Sequence, residues 1–159
     1  MHILQSWLFS QELKRGVFRL RGEDNLSKLK QQSEDNDYQY IELDGSSISS
    51  KVELLNALEN ALKPTLSFRK NWDAFEDVME SLEWITSAGV TIVYKDFEVF
   101  QKTNPKDFAI FRDIIYTVIH LQMYSPRLAS AGFYFVFQSD DYPDLPPMQL
   151  PVPALLFRF

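Results

Sequence analysis

The sequence predicts an α/β fold in which a small parallel β-sheet is packed with helices. Two observations carry this. Short strand-like runs are separated by stretches of helical period, in the order β-α-β-α-α-β-α-β followed by a tail. Two of the runs, Val90–Tyr94 and Gly132–Phe137, are almost wholly apolar, as strands buried on both faces must be. Strands joined through helices pair in parallel, by right-handed crossovers.

Each element has a local cause. Gly16 to Arg21 alternates apolar and basic residues, the period of a half-buried strand. Gly22 breaks it, and Asp24 or Asn25 is placed to cap a mostly polar surface helix through Leu26 and Leu29 to about Glu34. Tyr38 to Leu43 alternates again and meets a turn signal at Asp44-Gly45. Ser50 and Glu53 form a capping box for a helix to Leu62, with Val52, Leu55, Leu58, Ala61 and Leu62 as its core stripe and Leu54 at the margin. Pro64 closes it. Asn71 is the natural cap of the next helix, which the apolar period extends to Ile85. After the 90–94 strand, Asp96 to Gln101 suits a brief helical turn. Asn104 and Pro105 open a helix to Met123, with Pro126 beyond its end. From Asp140, five prolines forbid ordinary helix and interior strand, and Leu155, Leu156 and Phe157 are placed to dock the tail.

Composition narrows the function. A chain of 159 residues suits one domain and buries enough surface to need no disulfide or metal staple. There is no cysteine, which removes thiolate chemistry and fits the cytoplasm. No apolar run reaches membrane-span length, and residues 1–9 lack a signal-peptide pattern. The net charge of -6 argues against direct nucleic-acid binding and for basic partners. His2 and His120 are the only histidines, and no nucleophile-base pair or phosphate-binding glycine loop accompanies the carboxylates, so catalytic residues, metals and cofactors are all expected to be absent. Asp140, Asp141 and Asp144 fit no calcium-loop spacing.

The most informative stretch is Asn71 to Ile85. At about 100° per residue, Asp73, Glu76, Asp77, Glu80 and Glu83 share an arc of roughly 120°. Ala74, Phe75, Val78, Met79, Leu82 and Ile85 lie opposite. No Lys, Arg or His occurs between Lys70 and Lys95. Like charges at these spacings cost a helix a few tenths of a kcal/mol per pair, about 0.2–0.5. Such a row is either a solvated outer face or a surface shaped to receive a cationic partner. Trp72 and Trp84 read as packing residues.

These residues carry a resemblance. The Leu43-Asp44-Gly45 turn, the Ser-rich cap and helix to Leu62, Pro64, Phe68, the run Asn71, Asp73, Ala74, Asp77, and Trp84 together resemble the barstar family, intracellular inhibitors of a secreted ribonuclease. The resemblance covers about residues 38–138. It implies one barstar-like domain with an extra N-terminal β-α unit in residues 1–37 and a Pro-rich tail over 139–159. It also implies that Asp77 takes the place of the scissile phosphate, with Asp73 beside it and Asp107 as a further acidic contact. The expected partner-contact set is Phe68, Asn71, Asp73, Glu76, Asp77, Glu80 and Asp107. Ser67 and Phe68 stand where the namesake has paired tyrosines, Arg69-Lys70 where it has Gly-Glu, and Glu76 where it has Trp; these departures bear on the target. The expected function is a cytoplasmic immunity protein, monomeric when free, whose acidic helix occludes the active site of a basic ribonuclease or nuclease toxin domain, with no membrane contact. The alternative is a barstar-like binding module for a basic partner that is not a nuclease.

Overall fold

The computed structural model describes residues 15–122, 131–139, 142 and 144–152. Four strands form one parallel sheet: β1 Arg15–Leu20, β2 Tyr38–Asp44, β3 Gly89–Lys95 and β4 Gly132–Gln138, in the order β1-β4-β3-β2. The central strands β3 and β4 are buried over their first six residues, as their unbroken apolar runs require. The helices are α1 Glu23–Asp35, α2 Lys51–Leu62, α3 Trp72–Ser81, α4 Glu98–Thr103 and α5 Pro105–Gln122. No helix among the described residues is long and apolar enough to cross a membrane.

Side chains alternate across the sheet and build two cores. Phe133, Phe135 and Phe137 of β4, with Val90, Ile92 and Tyr94 of β3, meet α2 to α5 on one face. Tyr134 and Val136, with Phe18, Leu20 and Val93, meet Leu26 and Leu29 of α1 on the other. Because β1 and β2 are the two edges, α1 alone carries the chain across that second face. A buried hydroxyl pair, Ser33 to Thr91 at 2.9 Å, ties α1 to β3.

Local causes agree with the sequence reading in kind and differ in detail. α1 begins at Glu23 after Gly22 (φ 85°), and Asn25 donates back to the Arg21 carbonyl instead of capping. Ser50 Oγ accepts the Glu53 amide at 3.2 Å, but Glu53 reaches one residue further back than a capping box, to the Ser49 amide and hydroxyl. α2 is rotated from its expected setting: Leu54 is fully buried and Val52 is exposed. Leu54, Leu55, Leu58 and Leu62 keep the same i, i+3, i+4 spacing, so periodicity alone could not choose between the two stripes.

At the Asp44-Gly45 turn, Asp44 accepts from the Ser46 amide and hydroxyl, and a 3-10 turn Gly45–Ser47 packs against the end of β3. A Cβ on Gly45 would overlap the Lys95 carbonyl oxygen. Gly45→Ala is therefore expected to cost about 1–3 kcal/mol, the usual range for overpacking, read as a lower urea midpoint.

The Pro-rich segment covers an edge of the sheet. Arg19 of β1 donates its amide to Pro146 and accepts from Met148, forming a lone parallel bridge opposite Pro147. Proline is tolerated there because an edge needs no continuous ladder. Tyr142 and Leu145 join one core, Met148 and Val152 the other. Gln32 clasps Val152 by accepting its amide and donating to its carbonyl. Leu155, Leu156, Phe157, His2 and the His120 side chain lie outside the described residues.

Candidate inhibitory surface on helix α3

Asn71 caps α3 as expected: its Oδ1 accepts the amides of Asp73 at 2.7 Å and Ala74 at 3.3 Å, so this side chain is already committed within the helix. Phe75, Val78 and Met79 are buried. Phe75 meets Phe68 edge-on at 4.9 Å and stacks on Phe111 at 6.0 Å, which docks α3 against α5.

The helix ends earlier than its amphipathic period. Leu82 turns left-handed (φ 53°), and Trp84 folds under the terminus, donating its indole N–H to the Met79 carbonyl at 3.1 Å. A left-handed non-glycine residue costs roughly 1–2 kcal/mol. Burying Leu82 and Trp84 offsets it, the latter packed edge-on against Phe133 at 5.4 Å. Glu83 and Ile85 therefore lie beyond the helix, and the helical row is Asp73, Glu76, Asp77 and Glu80.

Asp73 and Asp77 are exposed; Glu76 and Glu80 are half-buried. None of the four is in an ion pair with a cation of the described residues. The Glu80 carboxyl is pushed above the ordinary range, first by partial burial and then by Glu76 and Asp77. The unfolded chain releases this proton at lower pH than the folded chain does. Ionising Glu80 thus removes stability as pH rises from the ordinary glutamate value through the raised one. Glu80→Gln is expected to raise stability near pH 7 by about 0.2–0.5 kcal/mol per relieved pair, read as a higher urea midpoint, and to leave the midpoint unchanged near pH 3. Equal midpoints at both pH values would contradict this.

The preceding loop is pinned from α2. Glu59 accepts the Ser67 hydroxyl and the Phe68 amide, each at 2.7 Å, and these bonds hold its carboxyl below the usual range. The pin turns Phe68 inward to 1% exposure, which corrects its expected place as a contact residue: it is core. The exposed apolar residue of the loop is Leu66, at 64%. Arg69 and Lys70 follow, both left-handed, in a tight turn closed by the Asn71 amide on the Phe68 carbonyl. Both are exposed at the N-terminal end of α3.

Asp107, in the first turn of α5, is joined to α3 through Trp72, whose indole N–H donates to its Oδ1 at 3.1 Å. One Asp107 oxygen is thus engaged internally, and Trp72 is half-buried against Phe75 and Phe111, with the Lys51 ammonium 6.0 Å from its ring centre. Of the seven expected contact residues, the structure gathers Asn71, Asp73, Glu76, Asp77, Glu80 and Asp107 around one helix and withdraws Phe68. The Glu59 pin was not legible, because a glutamate in α2 reads only as polar surface. Among the described residues no group of three or more metal-ligating side chains is found.

The family model for barstar, described as the barnase inhibitor, matches residues 38–127, more than half of the chain. The chain belongs to the barstar family. No curated protein matches it. The matched span runs from β2 to beyond α5 and contains Asp73, Asp77 and Asp107. β1, α1, β4 and the Pro-rich segment lie outside the barstar span.

Proposed function

We propose that this barstar-family protein inhibits a basic ribonuclease, as the immunity partner of a nuclease toxin domain in the cytoplasm, by laying α3 into its active site. The observation that carries this is the row Asp73, Glu76, Asp77 and Glu80 along one helix, Asp73 and Asp77 exposed and Glu76 and Glu80 half-buried, none of them in an ion pair with a cation of the described residues. A nuclease cleft must be cationic to hold phosphate, and carboxylates offer arginine the same bidentate acceptor geometry. Opposed fields also accelerate capture, by orders of magnitude at low salt. Asp77, in mid-helix, takes the place of the scissile phosphate; Asp73 and Asp107 flank it.

RNA cleavage by the cognate nuclease, titrated with the protein, tests the reading. Stoichiometric loss of cleavage is expected from wild type, and none from a variant carrying Asp73→Ala with Asp77→Ala. Equal inhibition by both would remove the mechanism. A pull-down from the native source that enriched only basic proteins without nuclease activity would replace the nuclease with another cationic partner.

A further inference from the structure

The sheet has two edges, and the chain guards them by different means. Among the described residues β2 pairs only with β3, and it shows solvent a row of polar side chains, Gln39, Glu42 and Asp44. Two carboxylates along an edge discourage a second copy from pairing there. No side chain of β1 is exposed, and Val17, Phe18 and Leu20 are buried. An edge strand this apolar is a template for one more strand.

The Pro-rich segment crosses that edge from one core to the other. Tyr142 and Leu145 pack with α2 to α5, and Met148 and Val152 pack on the face that α1 covers. At the crossing, Arg19 donates its amide to the Pro146 carbonyl at 3.0 Å and accepts the Met148 amide at 2.9 Å, a parallel bridge centred on Pro147. The central residue of such a bridge turns its own N–H and C=O away from the strand it faces. The outward donor would therefore belong to residue 147, and proline has none. Leu145 is used up as well: its amide bonds the Tyr142 carbonyl at 2.9 Å, and its carbonyl accepts Arg19 Nε at 3.0 Å. From Leu145 to Met148 the segment leaves no amide for a further strand.

We propose that this segment is a terminator of the sheet, a strap that closes the β1 edge against a strand from a second copy of this chain. Paired on its inner side and without a donor on its outer side, it fills the edge without becoming a new one. The strand it keeps out is that of a second copy, since every molecule brings the same apolar edge. Gln32 of α1 fastens the far end by accepting the Val152 amide and donating to the Val152 carbonyl. The proposal uses no residue of the acidic row and stands whatever partner that row binds.

Pro147→Val in the full chain tests it, because it puts an outward N–H and a strand-forming residue at an exposed position. In sedimentation velocity over a wide concentration range, wild type is expected to run as one species. The variant is expected to sediment faster as concentration rises, to gain hydrogen-exchange protection at residue 147, and to keep its urea midpoint. A segment that served packing alone would give the opposite pattern, a lower midpoint with no association, and that result would overturn the proposal. So would wild type associating through β1, or variant association that protected only β2. Gln32→Ala keeps the test open should Pro147→Val fail to fold. It is expected to speed exchange at the Met148 amide, by roughly twofold to tenfold for each bond lost, and to bring on association. Faster exchange in a protein that stayed monomeric would also overturn the terminator role.

Discussion

Asp77→Ala is expected to weaken the complex with the cognate nuclease by about 2–5 kcal/mol, roughly 30- to 5,000-fold in Kd. Asp77 is exposed in the free protein and is in no internal ion pair among the described residues, so its removal costs the fold nothing comparable. Removing it also relieves like-charge contact with Asp73 at i−4, and it is one of the two carboxylates that raise the Glu80 carboxyl. Stability should therefore hold or rise slightly while binding falls. That opposition separates the prediction from ordinary destabilisation, which would lower both together. Most of the loss belongs in the off-rate, because the nuclease arginines would be left buried and unpaired. Asp73→Ala should act more through the on-rate and fade as salt shortens the screening length to about 10 Å near 0.1 M. Stopped-flow association at two ionic strengths, beside a urea melt of each free variant, checks all of this. An Asp77→Ala protein that inhibits like wild type would sink the phosphate-mimic role.

The sheet and helices were legible because their causes are local. Alternation at Tyr38–Leu43, the apolar run at Val90–Tyr94, the Asn71 cap and Pro105 each act within a few residues. What stayed hidden was set by residues far apart in the chain. The amphipathic period runs on to Ile85 without a glycine or proline, so nothing local marks Leu82 as the end of α3; the preference of Trp84 for Phe133 decides it. Phe68 is expected as a contact residue, and its place in the core follows from Glu59, nine residues earlier, which holds its amide. The Asp107 bond to Trp72 spans 35 residues and carries no pattern at all. The acidic row was the easiest feature to find, since repulsion along one helix is itself a local signal. How the row is presented depended on contacts that no spacing encodes.

That presentation rests on one ring, and Phe75→Ala is expected to show it. Phe75 is fully buried and holds three aromatic partners, Phe68, Trp72 and Phe111. Phe→Ala in a core of this density typically costs about 3–5 kcal/mol, the transfer loss plus the cavity left behind. Against a typical total of 5–15 kcal/mol for a domain, that is a large share. Urea melts should show the midpoint falling with little change in slope. The functional consequence differs from that of Asp77→Ala because every carboxylate of the row remains. Under conditions where the variant is folded, it should retain more affinity than Asp77→Ala despite being far less stable. Its losses should trace to α3 shifting on α5, since Trp72 joins that packing to Asp107. Restoring bulk with Phe75→Leu should recover much of the stability, because a branched aliphatic side chain fills most of the space even without the stacking on Phe111. If Phe75→Ala instead melted like wild type, α3 would not depend on this contact, and the row would be held by its caps and by the burial of Val78 and Met79.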